Sequence, residues 1–550
     1  MSELATPNLL AGPVLAHVPL VRAGQPHNRA VLARRWANRM VGPLARVLVT
    51  PWAQGAAVTG GLAGVVQISV SAAAIGALPG DRPRSWWFSL PAGWLGRPEL
   101  MADVFYAGMA LWLLSWLALG FGVRAGRWRL RGLWLVTAVW TAPLLLAPVA
   151  LSTDVYTYLG QGLVAAAGLD PYHYGPAAAP VPMRLLRGMP LAWLSSPSPY
   201  GPLFVRITGA IAPLARTHLV SAVVVLRLVE LAGLGLIAAA LPRLASALGA
   251  DPRRATWLGV TSPLVLTSFV LSAHNDALML GLLVCGLAVA TGTTRLAGGV
   301  SVLVAVALCT SAAMVKAPAA IAVLFLALAW SSRADAPRTR LARLGACAAV
   351  CVAVLTAISL ACGMGWGWLN PATLSSPSRA TTPFTPATAI TKAVVGLTRP
   401  LGLALTREQV MPIVLGLTGA LALAFIVGLL ARHHRVGVAR ALGLSLLTAV
   451  LASPVTWPWY LCWAVVLLGA ATPTRRILGL IVLATAPLLL IEADGTAPPL
   501  DMAATTLLAT ASLAAAGYTL RWSLHNLGNK SAASPKALAA TAAQTPPPRP

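Results

Sequence analysis

Apolar stretches of about twenty residues recur along the whole chain, the length an α-helix needs to cross the hydrocarbon core of a bilayer. On that scale the sequence predicts spans at 53–78, 102–122, 132–151, 219–247, 255–272, 276–293, 296–314, 317–332, 344–362, 411–431, 441–456, 459–473, 477–492 and 503–520. The expectation is an all-α polytopic membrane protein of about 14 transmembrane helices. Composition points the same way: of 550 residues, 57% are hydrophobic and 10% charged, with a mean hydropathy of +0.76. So few polar residues cannot cover a water-soluble globule, which excludes a string of soluble domains.

The net charge is +26, from 40 basic and 14 acidic residues. In a soluble chain this would suggest nucleic acid, but here the arginines fall in clusters between spans. With the N-terminus in the cytoplasm, the inside loops hold Arg34, Arg35 and Arg39, then Arg124, Arg127, Arg129 and Arg131. Arg253 and Arg254, Arg338, Arg340 and Arg343, and Arg475 and Arg476 continue the series. The positive-inside rule then predicts a plasma-membrane protein with both termini cytoplasmic and no nucleic-acid partner. Residues 1–50 read as a basic cytoplasmic segment without a cleavable signal sequence, and 51–525 as the membrane body. Residues 526–550, rich in Ala, Ser and Pro, read as a disordered cytoplasmic tail. The six cysteines contain no C-x-x-C and form no disulfide framework.

Two outer segments, 152–218 and 363–410, are too long to be simple turns. Five of the eight tyrosines fall between Tyr156 and Tyr200. Stretches 157–167 and 203–215 are apolar with scattered polar residues and read as interfacial helices.

Ionisable residues at membrane depth are costly, so those near the bilayer are informative. Asp154 follows the third predicted span, with Tyr156 and Tyr158 beside it. A partly desolvated carboxylate there can deprotonate a hydroxyl. A solvated helix cap is the plainer alternative, since Ser-Thr-Asp is also a capping pattern. His274-Asn275-Asp276 interrupts an apolar run and offers more polar groups than a hairpin tip requires. Lys316 lies at the outer end of a span, where it either snorkels to the interface or binds an anion. Asp170-Pro171-Tyr172 and Ser198-Pro199-Tyr200-Gly201-Pro202 are rigid turns bearing aromatics, suited to sugar contacts or to an interfacial belt. The belt is the expected place for Trp457 and Trp459. Arg227 and Glu230, three apart on one helix, read as a structural ion pair. Arg379 adds a cation on the outer face that the inside rule does not require.

There is no G-x-x-x-x-G-K-[ST] loop and no H-E-x-x-H, and no inside loop is long enough for a nucleotide-sugar domain. Glu492-Ala493-Asp494 is the nearest acidic pair. No cofactor is expected, although a divalent metal stays open.

The ordered set Ser152-Thr153-Asp154-Val155-Tyr156-Thr157-Tyr158, Gly168-Leu169-Asp170-Pro171-Tyr172, Ser198-Pro199-Tyr200-Gly201-Pro202-Leu203, Ala273-His274-Asn275-Asp276 and Val315-Lys316-Ala317-Pro318 resembles the actinobacterial polyprenol-phosphomannose-dependent α-1,6-mannosyltransferases. These are GT-C type membrane glycosyltransferases, and the resemblance runs over roughly residues 50–525. It implies a GT-C-like body, a polyprenyl-phosphate-mannose donor in the outer leaflet, and a lipid-anchored mannan acceptor. It also implies an inverting transfer that makes the α-1,6 backbone of lipomannan and lipoarabinomannan. Asp154 matches the family's base. Asp276 is then a second acid or a sugar-orienting group. Lys316, His274 and Arg379 are candidates for the donor phosphate. Tyr156, Tyr158, Asp170, Tyr172, Tyr200 and Asn275 are candidates for the sugar or acceptor. A transporter or lipid-linked-sugar flippase, and a GT-C enzyme using another lipid-linked sugar, remain the alternatives.

Overall fold

The computed structural model describes residues 43–76, 92–95, 97–292, 298–370, 385–402, 405–471 and 475–489. Among these the regular structure is entirely helical. The first hairpin joins α1 (Pro51–Ile75) to α2 (Pro98–Arg124), and α3 (Leu130–Leu146) packs back on it. Then come α4 (Asp154–Ala166), α5 (Pro202–Ile211) and the long α6 (Leu219–Ala247). The chain continues through α7 (Pro252–Gly259), the short α8 (Pro263–Leu266) with a π turn at Thr267–Leu271, and α9 (Asp276–Ala290). Next are α10 (Gly298–Ala313), α11 (Ala320–Ser331) and α12 (Pro337–Cys362). The last described helices are α13 (Pro386–Thr398), α14 (Arg407–Ala431), α15 (Val438–Ala452), α16 (Pro458–Ala471) and α17 (Arg475–Leu489).

Among the described residues the expected 14 spans are not met. Five described helices are long and apolar enough to cross a membrane: α1, α2, α6, α12 and α14. A sixth candidate is the pair Pro263–Leu271 and Asp276–Ala290, bent by 119° at its break. Expected spans at 132–151, 296–314, 317–332, 441–456 and 459–473 are helices of at most 17 residues. A 15-residue helix rises about 22 Å, short of a hydrocarbon core of about 30 Å. Proline is the reason that apolar length overstates helix length. Pro148 follows α3, Pro318 follows α10 and Pro454 follows α15, and each blocks helical continuation. The expected span 503–520, the tail 526–550 and the basic segment before residue 43 lie outside the described residues.

Several buried polar side chains tie helices of the bundle together. Trp116 and Trp257 stack at 4.7 Å, and each indole N–H donates to the other's carbonyl, at 3.0 and 2.9 Å. This reciprocal lock joins α2 to α7. Trp140 Nε1 donates to Val58 O at 3.0 Å and joins α3 to α1. α6 and α9 approach so closely that a Cβ on Gly233 would lie 2.5 Å from the backbone of Ala277. By contrast α12 and α14 bury only 11% and 17% of their most apolar windows and turn Leu341, Leu360, Leu417 and Leu421 outward. An apolar surface of that extent suits lipid better than water.

Both stretches read as interfacial helices are helical, but α4 does not lie on a surface. Residues 155–164 are all buried, including Thr157 and Gln161. Its polar side chains belong to the interior, which periodicity alone does not reveal.

Candidate active site

Three loop segments meet at one end of the bundle: the exit of α3 before Asp154, the break between the π turn and α9, and the turn after α10. Ser272 Oγ donates to Ala150 O at 2.9 Å and joins the first two. The turn after α10 is held by the Ser198–Leu203 loop, where Gly201 N and Leu203 N donate to Val315 O and Met314 O, both at 3.1 Å. A side chain at position 201 would put its Cβ 2.0 Å from Met314 O, so only glycine lets the two backbones pair.

Asp154 opens α4, and its side chain is 14% exposed. Tyr158, one helical turn on, donates its hydroxyl to Asp154 Oδ2 at 3.4 Å. His274, with a fully buried side chain, places Nδ1 3.5 Å from that same oxygen and 3.2 Å from the Tyr158 hydroxyl. The opposite support of His274 is aromatic. Its ring stacks on Trp459 at 3.7 Å, and Trp459 stacks on Trp457 at 5.2 Å. Tyr158 is packed edge-on against Tyr200 and Phe204, each at 5.1 Å. Burial, followed by the neighbouring phenol and carboxylate charges, holds the Tyr158 and Tyr200 hydroxyls well above the ordinary tyrosine range.

Asp276 is completely buried and fully engaged. It accepts two hydrogen bonds from Lys316 Nζ, at 3.0 and 2.8 Å, and one from Trp463 Nε1 at 2.6 Å. The ammonium also sits 4.5 Å over the Tyr460 ring. A buried lysine needs a countercharge, and this one has it. Lys316 and Asp276, expected as an anion binder and a second acid, therefore form one ion pair beside the Asp154 cluster.

The other expected residues divide. Asn275 is buried, and neither its amide nitrogen nor its oxygen has a hydrogen-bond partner among the described residues. His274 Nε2 and Trp459 Nε1 share that condition. The three residues are neighbours: Asn275 follows His274 in the chain, and Trp459 stacks on the His274 ring. Tyr200 lines the cluster, whereas Tyr156, two residues past Asp154, is fully buried on the other side of α4, within reach of the Arg227 charge. Asp170 is exposed and accepts from Tyr172 N at 2.9 Å, closing its own turn. Tyr172 is buried against Gly367. Arg379 lies outside the described residues, as do Glu492 and Asp494. Among the described residues no three His, Cys, Asp or Glu side chains converge as metal ligands.

Two readings from sequence are corrected. Trp459 is 4% exposed and packs on His274, so it is part of the cluster and not of a lipid-facing belt. Arg227 and Glu230 do not pair with each other. Arg227 donates to the carbonyls of Leu145, Ala147, Pro148 and Leu271, and Glu230 Oε2 accepts from Leu278 N at 3.1 Å. Unpaired main-chain groups at helix ends outcompeted the nearest countercharge. The aromatic density of Trp457, Trp459, Tyr460 and Trp463 was the sequence signal for the wall of the cluster.

Residues 58–332 match the family model described as alpha-(1->6)-mannopyranosyltransferase, N-terminal domain, and residues 385–521 match the one described as MptB C-terminal domain. The chain belongs to the alpha-(1->6)-mannopyranosyltransferase family. Asp154, Tyr158, Tyr200, His274, Asn275, Asp276 and Lys316 fall in the first of these regions, and Trp457, Trp459, Tyr460 and Trp463 in the second. Among similar relatives is alpha-(1->6)-mannopyranosyltransferase A of Mycobacterium tuberculosis, 34% identical over 46% of this chain and 49% of its own length. A probable alpha-(1->6)-mannopyranosyltransferase of Mycolicibacterium smegmatis is 42% identical over 32% of each chain. The matched region thus spans about half, or less, of the relatives it resembles. No solved structure matches.

Proposed function

We propose that this chain transfers mannose from a polyprenyl-phosphate-mannose donor to a lipid-anchored mannan acceptor at the outer face of the plasma membrane, forming α-1,6 linkages. Family membership supports the activity. The observation that carries the assignment of roles is the contrast between the two acids: Asp154 keeps solvent access, whereas Asp276 is locked by Lys316 and Trp463.

In this reading Asp154 is the general base. The acceptor 6-hydroxyl attacks the anomeric carbon and its proton passes to Asp154. The bond from that carbon to the phosphate oxygen breaks on the opposite side, so a β-mannosyl phosphate gives an α-mannoside. Polyprenyl phosphate leaves with the bonding electrons and the added negative charge. Tyr158 donates to Oδ2, and His274 Nδ1 lies 3.5 Å from the same oxygen, so both restrict where the carboxylate sits. In this reading Asn275 and Trp459 Nε1 face the developing phosphate charge, with Arg379 as the cation there. Tyr200 and the Asp170–Tyr172 turn border the sugar path. A lipid phosphate leaving group needs no nucleotide-binding domain.

Residues 51–525 form the GT-C-like body in this proposal, flanked by a cytoplasmic segment 1–50 and a cytoplasmic tail 526–550. The arginine bias supports that orientation. The bent pair of α8 and α9 is also a device of transporters, whose broken helices line substrate sites. One assay separates the readings: the purified full chain in nanodiscs, given labelled polyprenyl phosphosugars and a mannoside acceptor. Transfer from the mannose lipid, with an α-1,6 product, is expected. Transfer only from another sugar lipid replaces the donor, and movement of lipid-linked sugar without transfer favours the transporter.

A further inference from the structure

Arg227 is fully buried in the third turn of α6, and its guanidinium gathers carbonyls from two separate segments. Nη1 donates to Leu145 O at 3.1 Å and to Ala147 O, and Nη2 donates to Pro148 O at 3.5 Å and Leu271 O at 2.5 Å. The first three carbonyls are at the C-terminal end of α3 and the fourth ends the π turn. Helix ends leave such oxygens unpaired and carry partial negative charge, so a buried cation with a planar fork of donors suits two of them at once.

Each clamped segment then leads straight to a residue of the cluster. The first runs through Leu151 to Asp154 and the second through Ala273 to His274. Leu151 and Ala273, at φ of 69° and 55°, are the two non-glycine residues with left-handed backbone among those described. A side chain disfavours that conformation, which persists only where the surroundings over-determine it. Between the clamp and the strained residues lies one more tie, Ser272 Oγ to Ala150 O. Glu230, three residues along α6, fixes the third side by accepting from Leu278 N in the first turn of α9.

We infer that Arg227, together with Ser272, is a positioning residue. It holds the two strained segments in register and so sets the contact between Asp154 Oδ2 and His274 Nδ1. Its kinetic readout rests on the transferase reading above, but its structural readout does not.

The test compares the full chain with Arg227→Lys in nanodiscs. Lysine keeps the charge but loses the planar fork. The expected result is a kcat about tenfold or more lower with the KM for polyprenyl-phosphate-mannose unchanged, because the donor contacts are intact. Amide exchange is expected to rise about tenfold at 150–154 and 271–276, while α6 itself stays protected. Adding Ala273→Gly, which accepts left-handed backbone without strain, is expected to restore kcat several-fold. A mere loss of core packing predicts no such rescue. Ser272→Ala serves where Arg227→Lys does not fold, and about a threefold fall in kcat at constant KM is expected. Unchanged kcat in the variant that folds, a rise in KM alone, or exchange that quickens evenly along α6 overturns the inference. A wild-type chain that transfers no mannose removes the transferase reading, and the exchange pattern still decides the role of Arg227.

Discussion

Lys316 gives Asp276 two hydrogen bonds, at 3.0 and 2.8 Å, and both side chains lie inside the protein. Neither is a separate acid or base in this arrangement. Their charges cancel at the floor of the cluster and leave Asp154 as its partly exposed carboxylate.

Asp154→Asn removes the proposed base without changing shape. The full chain is expected to fold and insert as before, with mannose transfer reduced about 10²–10⁴-fold, the range of general-base catalysis. Initial rates with labelled donor check it, and near-normal turnover would exclude Asp154 from that role. Tyr158→Phe is expected to cost less, because His274 still engages Oδ2.

Breaking the Lys316–Asp276 pair from one side leaves a buried charge alone. Asp276→Asn or Lys316→Met is each expected to destabilise by about 3–5 kcal/mol, and the double variant by less than the sum. Thermal unfolding of all four proteins completes the cycle. Strict additivity would mean that the pair is not coupled.

Gly201→Ala places a methyl where Met314 O already stands. The paired backbones must separate, and a loss of about 1–3 kcal/mol is expected, with reduced transfer because Lys316 follows directly in the chain. A variant as stable and active as the wild type would show that the Ser198–Leu203 loop moves freely.

Tyr158 and Tyr200 titrate above the usual range because they are buried. In the unfolded chain a tyrosine ionises near pH 10. Below that pH both states carry the proton and these residues give stability no pH dependence. Above it the unfolded chain loses protons first, so stability is expected to fall as pH rises past about 10. Melting curves between pH 8 and 11 measure this, and Tyr200→Phe should flatten the decline.

Trp459→Ala takes away the ring on which His274 rests. Transfer is expected to fall at least about tenfold, with Trp459→Phe intermediate, since stacking is partly retained. Equal activity of all three proteins would return Trp459 to a packing role.

Much of this was legible in the residues. Apolar length gave a helical membrane body, and the few polar groups that interrupt it, Asp154, His274-Asn275-Asp276 and Lys316, do converge. The span count was not legible, because hydropathy runs on through Pro148, Pro318 and Pro454, where helices stop. Pairing was not legible either. Neighbours in sequence suggested Arg227 with Glu230, but an arginine in a dry interior is drawn to whichever acceptors are unpaired, and those were helix-end carbonyls from distant segments.

By itself the sequence determined what kinds of groups this protein has to work with: a scarcity of acids, a surplus of arginine and an ordered set of polar motifs in an apolar chain. Tertiary structure alone decided which acid stays reachable. That choice depends on burial and on the donors brought to Asp276 from the turn after α10 and from α16, and no local pattern encodes contacts between residues so far apart.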